Sequence, residues 1–127
     1  MSASTIASNE TIDLGDLVWV DFDPAFGHEQ GGRRPALVMS VASYNESSSF
    51  VLVCPITRSE RFWPFKVGLP SGGAIAGAVL VDQIKSIDKR RIVSPAAGQI
   101  DEPTKSEVIA KISLLIGLDA GRYAQAS

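Results

Sequence analysis

Two residues at the ends of neighbouring apolar segments, Arg34 and Thr57, have side chains suited to chemistry at phosphorus. Arg34 stands in GGRRP, directly before the run PALVMS, and Thr57 ends the run FVLVCPIT. A guanidinium can hold two phosphate oxygens through parallel hydrogen bonds and stays charged at all working pH values. A threonine hydroxyl can donate to a phosphoryl oxygen. The pair is therefore a candidate phosphate-reacting site, provided that the fold brings the two residues together.

The expected pairing of two apolar runs predicts that the fold brings Arg34 and Thr57 together. Residues 35–40 and 50–56 are typical of β-strands. If they form an antiparallel hairpin closed by the turn around SYNESSS, residues whose numbers sum to about 91 lie opposite one another, and Arg34 faces Thr57. Directly opposed residues have Cβ atoms about 5 Å apart. Glu29, in the loop before the second strand, can reach the same end of the sheet.

Cations and aromatic side chains follow Thr57 directly. Arg58 and Arg61 precede Phe62 and Trp63. Arginines beside aromatic rings can hold phosphates and stack unpaired bases, which is the combination used to bind single-stranded nucleic acid. The candidate RNA-binding residues are Arg33, Arg58, Arg61, Trp63 and Lys85.

A site that reacts at phosphorus also needs a proton acceptor, and the loop before the second strand contains two candidates. Histidine is the side chain that ordinarily exchanges a proton near neutral pH, which makes His28 a possible base. Glu29 is an alternative base or a tether for Arg34, and a loop histidine without a catalytic role is the competing interpretation of His28. One His and one Cys cannot build a zinc site, so the sequence predicts no metal and no cofactor.

Composition limits the class of protein. The chain has 127 residues, enough for one domain, and its net charge is -2. Residues 24–100 nevertheless carry nine Lys and Arg against five Asp and Glu, so a basic middle lies within an acidic protein. No signal-like segment and no apolar stretch of about 18 residues occurs, which predicts a cytoplasmic protein without a membrane partner. Cys54 lies inside an apolar run and is expected to be a buried thiol.

The remaining pattern predicts a mostly β fold with one C-terminal helix. Residues 17–22 read as a first strand, and FKVGL, AVLVDQ and RRIVS read as further short strands separated by SGGAIAG and SIDK. Many short strands suggest a small barrel or sandwich. Apolar residues at helical spacing lie in residues 101–117, with Asp101 or Thr104 as a cap. The predicted domain is 15–118, between flexible tails at 1–14 and 119–127.

Both faces of the second and third strands are apolar. A sheet with one solvated face would alternate apolar and polar residues instead. One face is therefore expected to pack in the core, and the other against a second layer or a second subunit. On this basis the sequence predicts a homodimer.

Several blocks in one order resemble the MazF/PemK toxin family of bacterial toxin–antitoxin systems. They are GDLVWVDFDP, GHEQGGRRPALV, CPIT, the PF of FWPFKV, VLVDQIKSID and AKISLLIG, and they span residues 15–117. The resemblance implies a homodimer of a small SH3-like β-barrel with a C-terminal helix. It also implies metal-independent cleavage of single-stranded RNA at short sequences, and neutralisation by a helical antitoxin. Carried over by residue, it assigns catalysis to Arg34, Thr57 and Glu29.

The expected function is thus a sequence-specific endoribonuclease toxin that leaves 2′,3′-cyclic phosphate and 5′-hydroxyl ends. The same fold also supports a toxin that poisons DNA gyrase and cuts nothing, and this is the alternative. An RNA-binding module that has lost activity is a third possibility. Arg34 and Thr57 at one end of a sheet favour the nuclease, because a gyrase poison does not need them.

Overall fold

The computed structural model describes residues 11–94 and 97–118. Six strands and two helices follow one another in the order β1 (Leu17–Asp21), β2 (Arg33–Val38), α1 (Ala42–Ser47), β3 (Phe50–Thr57), β4 (Lys66–Gly68), β5 (Ala78–Leu80), β6 (Lys85–Asp88) and α2 (Glu102–Leu115). Short 3-10 turns occupy Val81–Gln83 and Lys89–Arg91. Most of the predicted tails lies outside the described residues. Ile12, which the sequence placed in the first tail, is only 7% exposed and belongs to the core.

Strand β3 is the centre of the sheet. One of its edges pairs with β2, which in turn pairs with β1, and its other edge pairs with β6 and then with β5. Ala36 lies opposite Pro55 and Val38 opposite Val53, which confirms the predicted register. The connection is not the simple turn expected around SYNESSS, because Ala42–Ser47 forms the short helix α1.

One predicted strand and one predicted spacer have other structures than the sequence indicated. RRIVS forms a 3-10 turn at Lys89–Arg91, and only Ile92 makes an isolated bridge, to Val20 of β1. Residues 86–88 of SIDK, expected to be a spacer, belong instead to strand β6. The reason is tertiary: the first half of β3 has an unpaired edge, and Lys85–Asp88 fills it with an antiparallel ladder. Unpaired strand edges away from water are costly, so the ladder outweighs the local preference for a turn.

The outer edge of β1 is met by the chain that follows β6. The N–H of Val93 donates to the carbonyl of Trp19, and the N–H of Leu17 donates to the carbonyl of Gly98, both at 2.9 Å. These contacts are isolated bridges rather than a regular ladder. The predicted mostly β fold with a C-terminal helix is confirmed, whereas closure into an SH3-like barrel stays a prediction.

The sheet has a hydrophobic core on each face. Val18, Val38 and Val53 belong to one core, and Leu37 and Cys54 to the other. Alternate residues of a strand point to opposite faces, so one strand feeds both cores. The second layer that the sequence required is therefore supplied within one chain, and the two apolar faces of β2 and β3 do not themselves require a second subunit.

Helix α2 closes the second core. The Asp101 carboxylate accepts hydrogen bonds from the backbone N–H and the hydroxyl of Thr104, so Asp101 is the cap and Thr104 its partner. These hydrogen bonds stabilise the charged carboxylate and lower the pKa of Asp101.

The apolar stripe predicted on helix α2 is only partly packed, although Val108 is fully buried. The exposed apolar residues on the helix and just after it are Ile109, Leu114, Leu115, Ile116 and Leu118. Within the described residues, no helix has the length and apolar character needed to cross a bilayer.

Cys54 is buried in the second core, as expected, and we predict that its thiol is unreactive in the folded protein. Burial, with a smaller contribution from the charge of Asp82, raises the pKa of Cys54 to about 12. Because the thiolate is the nucleophile, a thiol that stays protonated should resist a disulfide reagent at about pH 8. Labelling should be slow in native buffer and immediate in concentrated urea. Immediate labelling without urea would contradict the prediction.

Candidate functional site

Arg34 lies on β2, opposite Val20 of β1, where the sheet meets the β1–β2 loop (residues 22–32). Its Nε donates a hydrogen bond of 2.7 Å to the carbonyl of Gly31. In the described part of the chain this is the one hydrogen bond of the Arg34 side chain. The loop thus fixes the guanidinium through Nε and leaves its two terminal nitrogens for a ligand.

Thr57 ends β3 and is only 5% exposed. Its Oγ1 accepts a hydrogen bond of 3.1 Å from the N–H of Ser59, which leaves the hydroxyl hydrogen to donate elsewhere. The strand pairs with β5 here, where Thr57 lies opposite Ala78. Gly77 makes this approach possible, since a Cβ at that position would lie 2.3 Å from the carbonyl oxygen of Thr57.

The register relates Arg34 to Thr57. The last paired residues of β2 and β3 in this direction are Ala36 and Pro55, and continuing the same register sets Arg34 opposite Thr57. Arg34 therefore lies on the strand next to Thr57, at the same end of the sheet. Both side chains are at least partly covered, which lowers the local dielectric constant and strengthens any contact with a charged phosphate.

Glu29 makes no hydrogen bond or ion pair with Arg34. One carboxylate oxygen accepts a hydrogen bond of 2.8 Å from the N–H of Phe26, and the other lies 3.9 Å from Nζ of Lys85. The tether of Arg34 is the carbonyl of Gly31 instead. The carboxylate of Glu29 thus organises its own loop and connects it to β6.

A cleft of about 390 Å³ opens beside Thr57. It lies between the β1–β2 loop and the β3–β4 loop (residues 58–65), with the 3-10 turn Val81–Gln83 as a third wall. The predicted site residues on its lining are His28, Thr57, Arg61 and Trp63. A neighbouring groove of about 530 Å³ is lined by Arg58 and shares Arg61 and Trp63 with the cleft. Five candidate residues thus surround these two adjoining cavities, whereas Arg34 lines neither of them.

The β3–β4 loop is held in place by cations and by one carboxylate. Lys66 Nζ donates to the carbonyl of Ser59 at 3.1 Å, and Lys111 of α2 donates to the carbonyl of Pro64 at 2.7 Å. Trp63 Nε1 donates to Asp82 at 2.9 Å. The loop therefore presents an ordered indole, while the neighbouring Phe62 is 84% exposed.

The structure sets the other two predicted RNA-binding cations apart from this cleft. Arg33 is exposed and pairs in register with Asp21 at the start of β2. Lys85 lies 5.8 Å above the ring of Phe22 and lines a separate cavity of about 330 Å³. These two residues can contact only a strand of RNA that extends beyond the cleft.

Sequence reasoning missed the polar residues of the 3-10 turn, Asp82 and Gln83. Both end the segment AVLVDQ, which was read as a strand, and a strand assignment gives no reason to place their side chains against a loop. Their partners, Trp63 and Gln30, are 19 and 53 residues away in sequence. The available signal was that both residues lie in VLVDQIKSID, one of the blocks that resemble the toxin family.

Comparison with known proteins confirms the resemblance found in the sequence. A family model for the PemK-like, MazF-like toxin of type II toxin–antitoxin systems matches residues 13–116. The endoribonuclease toxin MazF of Escherichia coli (strain K12) is 43% identical over 105 residues, which cover 83% of this chain and 94% of that protein.

Solved structures agree with the family match. The crystal structure of MazF (Form-I) from Deinococcus radiodurans has a TM-score of 0.80 and 39% identity, and the match covers 86% of this chain and 99% of that one. A MazE-MazF structure (Form-II) from the same organism has a TM-score of 0.75 and 34% identity, covering 87% and 100% of the two chains. With the family match over most of its length and relatives of this identity, the chain belongs to the PemK-like, MazF-like toxin family of type II toxin–antitoxin systems.

Proposed function

We propose that this protein is a sequence-specific endoribonuclease toxin that cleaves single-stranded RNA without a metal ion. The observation that carries the proposal is the register of β2 and β3, which sets Arg34 and Thr57 at one end of the sheet beside a cleft with a cation and an exposed indole. The name of the Escherichia coli relative supports the reaction class. It also favours RNA cleavage over the gyrase-directed alternative.

The proposed reaction is an intramolecular transesterification. The 2′-oxygen attacks the adjacent phosphorus and loses its proton to a base, while the 5′-oxygen leaves and takes up a proton. The products are a 2′,3′-cyclic phosphate and a 5′-hydroxyl.

Arg34 offers two terminal nitrogens to the phosphoryl oxygens, where negative charge develops in the transition state. Thr57 donates its hydroxyl hydrogen to the same group. Arg34 serves as a stabiliser rather than a base, since a guanidinium does not give up its proton.

The base comes from the β1–β2 loop, and two variants identify it. His28 lines the cleft with Thr57, whereas the carboxylate of Glu29 bonds to its own loop and lies near Lys85. A general base contributes about 10²- to 10⁴-fold, so either His28→Ala or Glu29→Gln should lower the single-turnover rate at least about 100-fold. The rate is measured at saturating enzyme. Full activity in both variants would remove this loop from the proton transfer.

We also propose that the protein acts in the cytoplasm and that an antitoxin neutralises it by covering the cation-lined groove. The Form-II crystal structure is one of MazE-MazF, which supports a partner of this kind. An acidic and apolar helical segment would complement Arg58, Arg61 and the exposed Phe62. Reversing the charge of Arg58 or Arg61 to Glu should then weaken antitoxin binding in a titration. Unchanged affinity in both variants would place the antitoxin elsewhere.

We further propose a homodimer that covers the exposed end of α2. Leu114 is 65% exposed there, among the other apolar side chains of the helix end. Several exposed apolar side chains close together in sequence favour an interaction site at this end of the helix. The mass measured by light scattering should be that of two chains across a concentration series, and Leu114→Glu should shift it to one. A mass of one chain at every concentration would exclude the dimer.

The test of the function is cleavage of a long unstructured RNA by the purified protein in excess EDTA, followed by mapping of the cut ends. We expect cuts at one recurring short sequence, each with a 5′-hydroxyl that polynucleotide kinase can phosphorylate without prior phosphatase treatment. Thr57→Val, which keeps the branched shape and removes the hydroxyl, should slow the reaction. Intact RNA in the presence of folded protein would contradict the proposal.

A further inference from the structure

The 3-10 turn Val81–Gln83 joins two loops that are distant in sequence. The carboxylate of Asp82 accepts a hydrogen bond of 2.9 Å from Trp63 Nε1 in the β3–β4 loop. The side-chain oxygen of Gln83 accepts one of 3.1 Å from the N–H of Gln30 in the β1–β2 loop. Because consecutive residues of one short turn make both contacts, the turn determines how far apart the two loops stand.

The cleft between these loops has the features of a site for a flat polar ring. Trp63 lines it and is 46% exposed, so part of the indole is open to a ligand. Phe65 packs against Trp63, with ring centroids 6.1 Å apart and planes tilted by 56°, which supports the indole. Gln30 also lines the cleft, and its side-chain oxygen is buried without a hydrogen-bond partner in the part of the chain that the structure describes. The N–H edge of a base could supply that partner.

Asp82 is an unexpected residue in a groove for nucleic acid. A carboxylate repels phosphate, so its charge opposes the contribution of Arg61 on the same cleft. The structure shows a way in which the carboxylate can still favour RNA binding, which is through the group that it holds, the indole of Trp63. Stacking on an aromatic ring strengthens binding when the ring is fixed in advance, because less conformational freedom is lost on binding.

We propose that this cleft binds one unpaired nucleobase of the RNA against Trp63, and that Asp82 and Gln83 are positioning residues that hold the two walls at the width of a base. The inference rests on the proposed endoribonuclease function. The base would enter beside Thr57, so its placement would select which phosphate reaches the catalytic residues. Asp82 and Gln83 act through Trp63 and Gln30 and do not touch the reacting atoms.

The first test compares Asp82→Ala with Asp82→Asn in steady-state cleavage of a short RNA that contains the mapped cut sequence. Asn removes the charge but keeps an oxygen that accepts the indole N–H, and so serves as the matched control. We expect Asp82→Ala to raise KM about three- to tenfold with little change in kcat. Asp82→Asn should recover most of this loss. Trp63→Ala should raise KM roughly five- to 100-fold.

The second test does not depend on cleavage. In a Trp19→Phe background Trp63 is the one tryptophan left in the chain, because the sequence has two. Its fluorescence should be quenched by a single-stranded 2′-O-methyl RNA oligonucleotide, which binds but cannot react. Without RNA, acrylamide should quench Trp63 more strongly in Asp82→Ala than in the unaltered background or in Asp82→Asn, because the freed indole is more accessible.

The outcomes separate this inference from the proposed function. An equal rise of KM in Asp82→Ala and Asp82→Asn, or no rise in either, would overturn the positioning role while RNA cleavage stands. Cleavage with no quenching of Trp63 by the oligonucleotide would exclude a base on the indole. If the protein cuts no RNA, quenching by the oligonucleotide that weakens in Asp82→Ala would still support the site, and absence of quenching would overturn it.

Discussion

Replacing Arg34 with alanine is expected to lower the single-turnover rate of RNA cleavage by about 10²- to 10³-fold, the range found when one donor to a developing oxyanion is removed. Arg34 is held through Nε by the carbonyl of Gly31, and its two terminal nitrogens make no further hydrogen bond in the described part of the chain. Because this contact fixes the guanidinium before substrate binds, no reorganisation is required in the transition state. Arg34→Lys should recover little activity, since an ammonium lacks the planar fork.

The neighbouring Arg33 provides the control for charge. Arg33→Ala removes the same charge from the next position of β2, where alternate side chains point to opposite faces of the sheet. Arg33 is exposed. This variant should change KM and its dependence on salt, and should leave the single-turnover rate at saturating enzyme nearly unaltered. If Arg34→Ala and Arg33→Ala had the same effect, Arg34 would act only as a cation that attracts RNA.

Replacing Gly77 with alanine is expected to destabilise the fold by about 3–5 kcal/mol, through backbone strain and a steric clash together. Gly77 has φ +129, a conformation that residues with a Cβ rarely adopt, and its added Cβ would lie 2.3 Å from the carbonyl oxygen of Thr57. Backbone must therefore move, and Thr57 moves with it. Protein that remains folded should also cleave RNA more slowly. Urea denaturation measures the loss of stability.

Substitutions at two other glycines separate the effect of backbone strain on stability from the effect of the steric clash. Gly98 has φ +137 with nothing within 4 Å of an added Cβ, so Gly98→Ala should show the strain alone. Gly68 has open space and needs no positive φ, so Gly68→Ala should have a small effect. The excess of Gly77→Ala over Gly98→Ala is the contribution of the close approach to Thr57. Equal losses in these two variants would mean that the contact between β3 and β5 relaxes without cost.

The sequence by itself determined the part of this protein that depends on local periodicity. The length of the apolar runs and of the segment between them was enough to predict the register of β2 and β3, and hence the relation of Arg34 to Thr57. The capped helix at the C-terminus followed from its spacing and its Asp101. The catalytic roles of Arg34, Thr57 and Glu29 stay predictions that came from the resemblance. The domain boundary at Gly15 also stays a prediction, which came from the polar first residues of the chain.

Only the tertiary structure decided which side chains the loops bring together. The strand at Lys85–Asp88 exists because β3 offers it an edge, and Glu29 bonds within its own loop rather than to Arg34. The turn that holds Trp63 and Gln30 joins residues up to 53 positions apart. Such contacts depend on where the sheet carries each loop in space, and no pattern of neighbouring residues records that position.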